Sequence, residues 1–165
     1  MGLQNAKLPL LTISNLYKNS LVDLHERSEK PTQEKDSIHF LGSNKKNILL
    51  VVNNLDVPYL PDEDLNFLLG VLSACKLSMA DIAIVNVGKT EKSEHNILIE
   101  SLKSEVIIFF DVEASAFGLP FKIPNFQVQL FQNKKYLFAP SLNDLQNDTN
   151  QKRKLWNALK SIFSI

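Results

Sequence analysis

Three uninterrupted apolar runs punctuate the chain: Asn47–Asn53 (NILLVVN), Asp81–Val87 (DIAIVNV) and Glu105–Phe110 (EVIIFF). Each is short, rich in β-branched or aromatic side chains and bounded by polar residues. A run without alternation predicts a strand covered on both faces, because a strand with one wet face would show polar residues at every second position. Between the runs the apolar period changes to that of a helix. Asp62, Glu63 and Asp64 follow Pro61, where a helix N-terminus favours negative charge, and Leu65, Leu68, Leu69 and Leu72 then recur at helical spacing, predicting a helix over 62–76. A second helix is predicted over 93–102, with Ile97, Ile99 and Leu102 turned to the core.

Further along, 113–117 reads as a short helical turn closed by Gly118 and Pro120. Strand material follows at 127–131 and 135–138 around an Asn133-Lys134-Lys135 turn, the second of these joining the central sheet. Ser141 is placed to cap a short turn running to Leu145. A last helix over 150–163 would bury Leu155, Trp156, Leu159, Ile162 and Phe163. Strands alternating with helices predict an α/β fold: a three-layer α/β/α sandwich around a mainly parallel sheet of about four strands.

The first quarter is different in kind. Leu8, Leu10, Leu11, Ile13, Leu16, Tyr17, Leu21 and Leu24 trace an amphipathic helix opening near Thr12 or Ser14, after which residues 25–46 turn polar and charged, with an apolar interruption at Ile38, Phe40 and Leu41. The expected organisation is an N-terminal arm and connector over 1–46 and an α/β/α domain over 47–165.

Composition narrows the function classes. The chain has 165 residues, 18 basic and 18 acidic side chains and a formal net charge of zero, so the overall balance offers nothing to a polyanion. Its single cysteine, Cys75, excludes an internal disulfide and fits a reducing cytoplasm. Within the predicted helix, Cys75 reads as a core thiol. No apolar run approaches the roughly 18 residues of a membrane span, and no secretory leader is expected. His25, His39 and His95 are scattered without Cys or carboxylates at ligand spacing, so they read as surface histidines; no metal and no cofactor is expected. Phosphate-cradling glycine loops and a serine-hydrolase elbow are absent from the sequence. The basic clusters Lys45-Lys46, Lys134-Lys135 and Lys152-Arg153-Lys154 are short and read as solvated charge.

Ligands of open α/β sheets bind beyond the carboxyl ends of the strands, which directs attention to loops 53–62, 87–93, 111–126 and 139–144. In the first, Asp56 could activate water and Tyr59 could stack on a base; the plain alternative is a proline-rich turn with a solvated carboxylate. In the last, Ser141 either joins such a site or simply caps the following helix.

The segment NILLVVNNLDVPYLPDEDLNFLLGVLSACKLSMADIAIVN resembles the start of the core of the psi subunit of bacterial DNA polymerase III. There an apolar strand ends in an Asn-bearing turn and leads to a leucine helix, a short polar link and a second strand. APSLNDLQNDTNQKRKLWNALKSIF resembles the closing segment of that subunit, with its Pro/Ser/Leu-type turn, Asp-Leu pair and terminal helix bearing Leu-Trp. The resemblance spans residues 47–163, and 1–25 stand where the psi arm would be. It implies a uracil-DNA glycosylase-like fold without catalysis. Asp56-Val57-Pro58-Tyr59 with Pro61 is similar to the glycosylase water-activating loop, Gly-Gln-Asp-Pro-Tyr followed by His-Gly-Pro; here Asn54 and Leu55 replace Gly and Gln, and Val57 interrupts the Asp-Pro step. Ala139-Pro140-Ser141 is similar to the second motif, His-Pro-Ser. Ala139 is the decisive departure, because a methyl group cannot donate to the departing uracil, and loss of one such donor costs on the order of hundreds-fold in rate.

The resemblance therefore implies an accessory subunit that bridges the clamp loader to another accessory protein and touches nucleic acid at most indirectly. Leu10, Leu11, Ile13, Leu16 and Tyr17 are its expected partner-binding anchors. The alternative is a divergent uracil-DNA glycosylase, with Asp56 activating water, Tyr59 or Phe110 stacking on the flipped base, and Ser141 in the second motif.

Overall fold

The computed structural model describes residues 38–90 and 95–165, within the compact unit Ile38–Ile165. The expected anchors Leu10, Leu11, Ile13, Leu16 and Tyr17 lie outside the described residues, as does His25. The fold is α/β. One mixed sheet holds six strands: β1 (Leu41–Gly42), β2 (Ile48–Val52), β3 (Ile82–Asn86), β4 (Val106–Phe110), β5 (Val128–Phe131) and β6 (Lys134–Ala139), in the order β1-β3-β2-β4-β6-β5. The adjacent strands β3, β2, β4 and β6 run parallel, whereas β1 and β5 pair antiparallel at the edges. Among the described residues four helices accompany them: α1 (Asp62–Ala74), α2 (His95–Ser101), α3 (Leu142–Asn147) and α4 (Thr149–Phe163).

Every residue of β2 and β3 is buried, as unbroken apolar runs require. Successive side chains enter different layers. Ile48, Leu50, Val52, Ile82, Ile84, Ile108, Phe110 and Leu137 meet α1, α3 and α4, whereas Leu49, Val51, Val85, Ile107, Phe109 and Phe138 meet α2 and the 3-10 turn Ala114–Phe117. The second layer is aromatic. Phe109 stacks on Phe138 with centroids 4.5 Å apart and takes Phe117 edge-on at 4.8 Å.

Six strands replace the expected four for two local reasons. The tail of the predicted connector supplies β1, because Gly42 sits at φ +112, where a Cβ would overlap the carbonyl oxygens of Ile82 and Met79. That close approach lets the amides of Asn44, Lys45 and Lys46 donate to the carbonyls of Ile82, Ala80 and Asp81. At the other edge, Gln132 and Asn133 both have positive φ, making a two-residue turn that pairs β5 with β6. Lys134, expected in the turn, therefore opens β6 ahead of Lys135, where the strand was expected to begin, and the two ammonium groups donate to the carbonyls of Ser104 and Ile162 at 3.0 and 2.8 Å.

Helix faces also differ from expectation. In α2 the inward positions are His95, Leu98, Ile99 and, just past its end, Leu102, leaving Ile97 57% exposed. His95 is thus no surface histidine: it is buried against Phe117, ring centroids 5.0 Å apart, with Nδ1 3.1 Å from the Ala116 carbonyl. In α1 Leu68 and Leu72 are buried and Leu69 turns outward, and the helix ends at Ala74, with buried Cys75 as its cap. Burial pushes the Cys75 thiol pKa up, as a core thiol requires. Among the described residues no helix is long and apolar enough to cross a membrane.

Two predictions follow from this packing. Phe109→Ala removes the ring at the centre of the aromatic layer and is expected to cost about 3–5 kcal/mol in urea unfolding. Asp148, whose carboxylate accepts from the amides of Gln151 and Asn150, and Asp81, held by the amide of Ser78 and then by its hydroxyl and Lys46, both have depressed pKa values. Their contribution is present above the ordinary aspartate pKa and is lost as pH falls through the lower folded value. Stability should decline as pH falls below about 4, and less steeply in an Asp81→Asn/Asp148→Asn double variant.

Candidate functional site

The chain passes from β2 to β3 on one side and then crosses to β4 on the other, so the strand order reverses beside β2. A crevice at such a reversal, beyond the strand carboxyl ends, is where open α/β sheets hold ligands. The loop after β2 contributes Asn53 to Pro61, β3 leads into the 3-10 turn Val87–Lys89, Asp111 follows β4, and Pro140-Ser141 follows β6.

Asn86, the last residue of β3, organises one side of this region. Its side chain is 4% exposed and occupied at both ends: Oδ1 accepts from the amides of Asn54 at 2.9 Å and Gly88 at 3.0 Å. Nδ2 donates to the carbonyls of Asn54, Val57 and Pro58 at 2.8, 2.9 and 3.2 Å. Asn54 continues the pattern, its own Oδ1 accepting from the amides of Asp56 and Val57 at 2.9 and 3.2 Å. Gly88 completes the fit, since a Cβ there would stand 2.6 Å from the Asn54 carbonyl oxygen. The loops after β2 and β3 are therefore one rigid body fastened through amide groups. The sequence reading missed Asn86, although an Asn interrupting a buried apolar run was itself the signal, because a polar group there must find partners.

The predicted site residues meet different fates. Asp56 is exposed at the tip of the Asn54 turn, and its carboxylate takes no hydrogen bond from the described residues. Tyr59 is half-buried in the same loop. Ser141 is a cap: its hydroxyl accepts from the amide of Asp144 at 3.1 Å and donates to the Asp144 carboxylate at 2.8 Å. Phe110, offered as a stacking surface, is 3% exposed and packs in the layer beneath α1, α3 and α4, so it offers no ring to a base. Because β4 lies between β2 and β6, the Asp56–Tyr59 loop and Ser141 start two strands apart, roughly 10 Å at the strand ends. Ala139 is buried at 4%, its methyl group part of the core.

Between these loops stands Asp111, exposed, with φ +56 and its amide donating 3.0 Å to the Ala139 carbonyl. It was not singled out from sequence, since nothing marks an Asp after a buried run until the strand order places it centrally. The chemistry within reach is that of hydrogen-bonding backbone, two exposed carboxylates and a half-buried phenol.

Asn86→Ala, which strands buried amide and carbonyl groups, is expected to lower unfolding stability by about 2–4 kcal/mol in urea titration. Ser141→Ala should cost about 1 kcal/mol as a lost cap, and Asp56→Asn should stay within about 0.5 kcal/mol. In comparison with known proteins, no family model and no curated protein matches this chain.

Proposed function

We propose that this chain is a non-catalytic, psi-like accessory subunit of a bacterial replicative DNA polymerase. In this reading a uracil-DNA glycosylase-like α/β/α body meets a second accessory protein, and the leading segment carrying Leu10, Leu11, Ile13, Leu16 and Tyr17 docks on the clamp loader in the cytoplasm. The family resemblance of 47–163 motivates it. The observation that carries it is the state of the two motifs a glycosylase would need. Ala139 puts a buried methyl group where the second motif has its histidine, and the Ser141 hydroxyl is spent on Asp144 as a helix cap. The first motif is equally committed to structure, its backbone fastened by Asn54 and Asn86 and its Asp56 left at an exposed tip.

A protein without a reaction of its own acts through surfaces, so the decisive experiment is capture. Tagged full-length protein is expected to retain clamp-loader subunits from native lysate at two salt concentrations, identified by mass spectrometry. Deletion of residues 1–25 should abolish that capture while circular dichroism reports an unchanged body. Incubation with uracil-containing single-stranded DNA should release no uracil even at high protein concentration. Release that Asp56→Asn eliminates would replace this reading with the glycosylase one.

A further inference from the structure

Away from the strand-end loops, helices α1 and α4 lie side by side and leave an open apolar groove of about 370 Å³ between them. Its α1 wall is Asn66, Phe67, Gly70, Val71 and Ala74, and its α4 wall is Lys152, Leu155, Trp156 and Leu159. Gly70 makes the groove deep: a Cβ there would meet nothing within 4 Å, so the middle of the α1 wall is missing a side chain. Apolar surface continues outside it, where Leu69 is 36% exposed.

Two cations rest on the aromatic rings of the groove. The Lys152 ammonium lies 5.7 Å from the centre of the Phe67 ring, and the Lys160 ammonium 5.5 Å from that of Trp156. The two lysines are eight positions apart on α4, about 12 Å along the helix. Neither has a carboxylate partner among the described residues, where Lys46–Asp81 is the single ion pair. The acidic residues of α1 are confined to its first turn, and Asp64 among them is engaged by Gln146 at 2.6 Å. Two cations held over the aromatic faces of an apolar trough place their charge where a bound carboxylate would meet it.

We propose that this groove seats an amphipathic helix of a partner protein, its apolar stripe filling the trough over Gly70 and carboxylates about two turns apart pairing with Lys152 and Lys160. A trough with helical walls suits a third helix laid in it, reading apolar anchors at helical spacing. The paired lysines exclude a partner with a basic flank. The inference stands on the groove alone and holds whether or not the larger assembly is a polymerase.

Trp156 is the only tryptophan of the chain, so its emission reports directly on the groove. The test titrates full-length protein with two synthetic helical peptides of about 18 residues, or five turns. They share one Leu/Phe stripe and carry either Glu or Lys at the flanking positions. The Glu peptide is expected to shift Trp156 emission to the blue, to bind at least about tenfold more tightly than the Lys peptide, and to weaken as salt is raised. Gly70→Leu, which fills the trough at an open helical position, should abolish the shift while melting at or above the parent temperature. Lys152→Glu/Lys160→Glu should reverse the preference between peptides. Equal binding of the two peptides, no binding of either, or a shift that survives Gly70→Leu would overturn the proposal. So would sedimentation as a dimer that Gly70→Leu dissolves, which would make a second copy of the chain the occupant.

Discussion

The constraint from which the rest follows is that the strands at the centre of the sheet are apolar on both sides. A residue pair such as Leu49 and Leu50, at 0% and 1% exposure, points into opposite layers, so neither layer can be omitted without wetting half of the strand. The helices are deployed accordingly. The layer of α1, α3 and α4 is aliphatic and broad, whereas the layer under α2 is narrower and made up by Phe109, Phe117, Tyr136 and Phe138 packing against one another. Aromatic rings fill much of the volume on that side of the sheet.

How much of this was legible depended on whether the determining interaction is local. β2, β3 and β4 were readable because an uninterrupted apolar run has one stable environment, α1 because acidic residues mark its start, and α4 because Leu155, Leu159 and Ile162 recur at helical spacing. β1 was not, because two residues have no period; their pairing depends on Gly42 lying against the carbonyls of Met79 and Ile82, a contact nearly forty residues away in sequence. The turn into β6 was misplaced because two adjacent lysines look like a loop until their ammonium groups are seen to reach the carbonyls of Ser104 and Ile162. His95 was misassigned for the related reason that a ring flanked by polar residues gives no sign of the Phe117 ring that covers it.

The candidate site divides in the same way. Its location was legible, since strand ends in an alternating α/β chain are known before the strand order is. The roles of its residues were not. Asp56 and Ser141 carry the side chains of reactive groups, yet the first is unpartnered at an exposed tip and the second is consumed by Asp144, and both outcomes depend on backbone geometry. The residue with the greatest structural consequence, Asn86, has no reactive chemistry, and its importance lies in five hydrogen bonds to backbone groups that only the folded loops bring together.

Among the described residues the two margins of the sheet are unequal. At one, β1 contributes only Leu41 and Gly42 before the chain turns away at a backbone angle that few residues adopt, which leaves too little ladder for another strand to copy. At the other, β5 runs for four residues with Gln129 and Leu130 turned outward, Leu130 being 63% exposed. The protein is thus polar in its capacity for sheet growth: self-association through backbone pairing is blunted at the β1 margin and, if it occurs, starts at β5. A charged side chain at position 130 would close that margin without touching either buried layer.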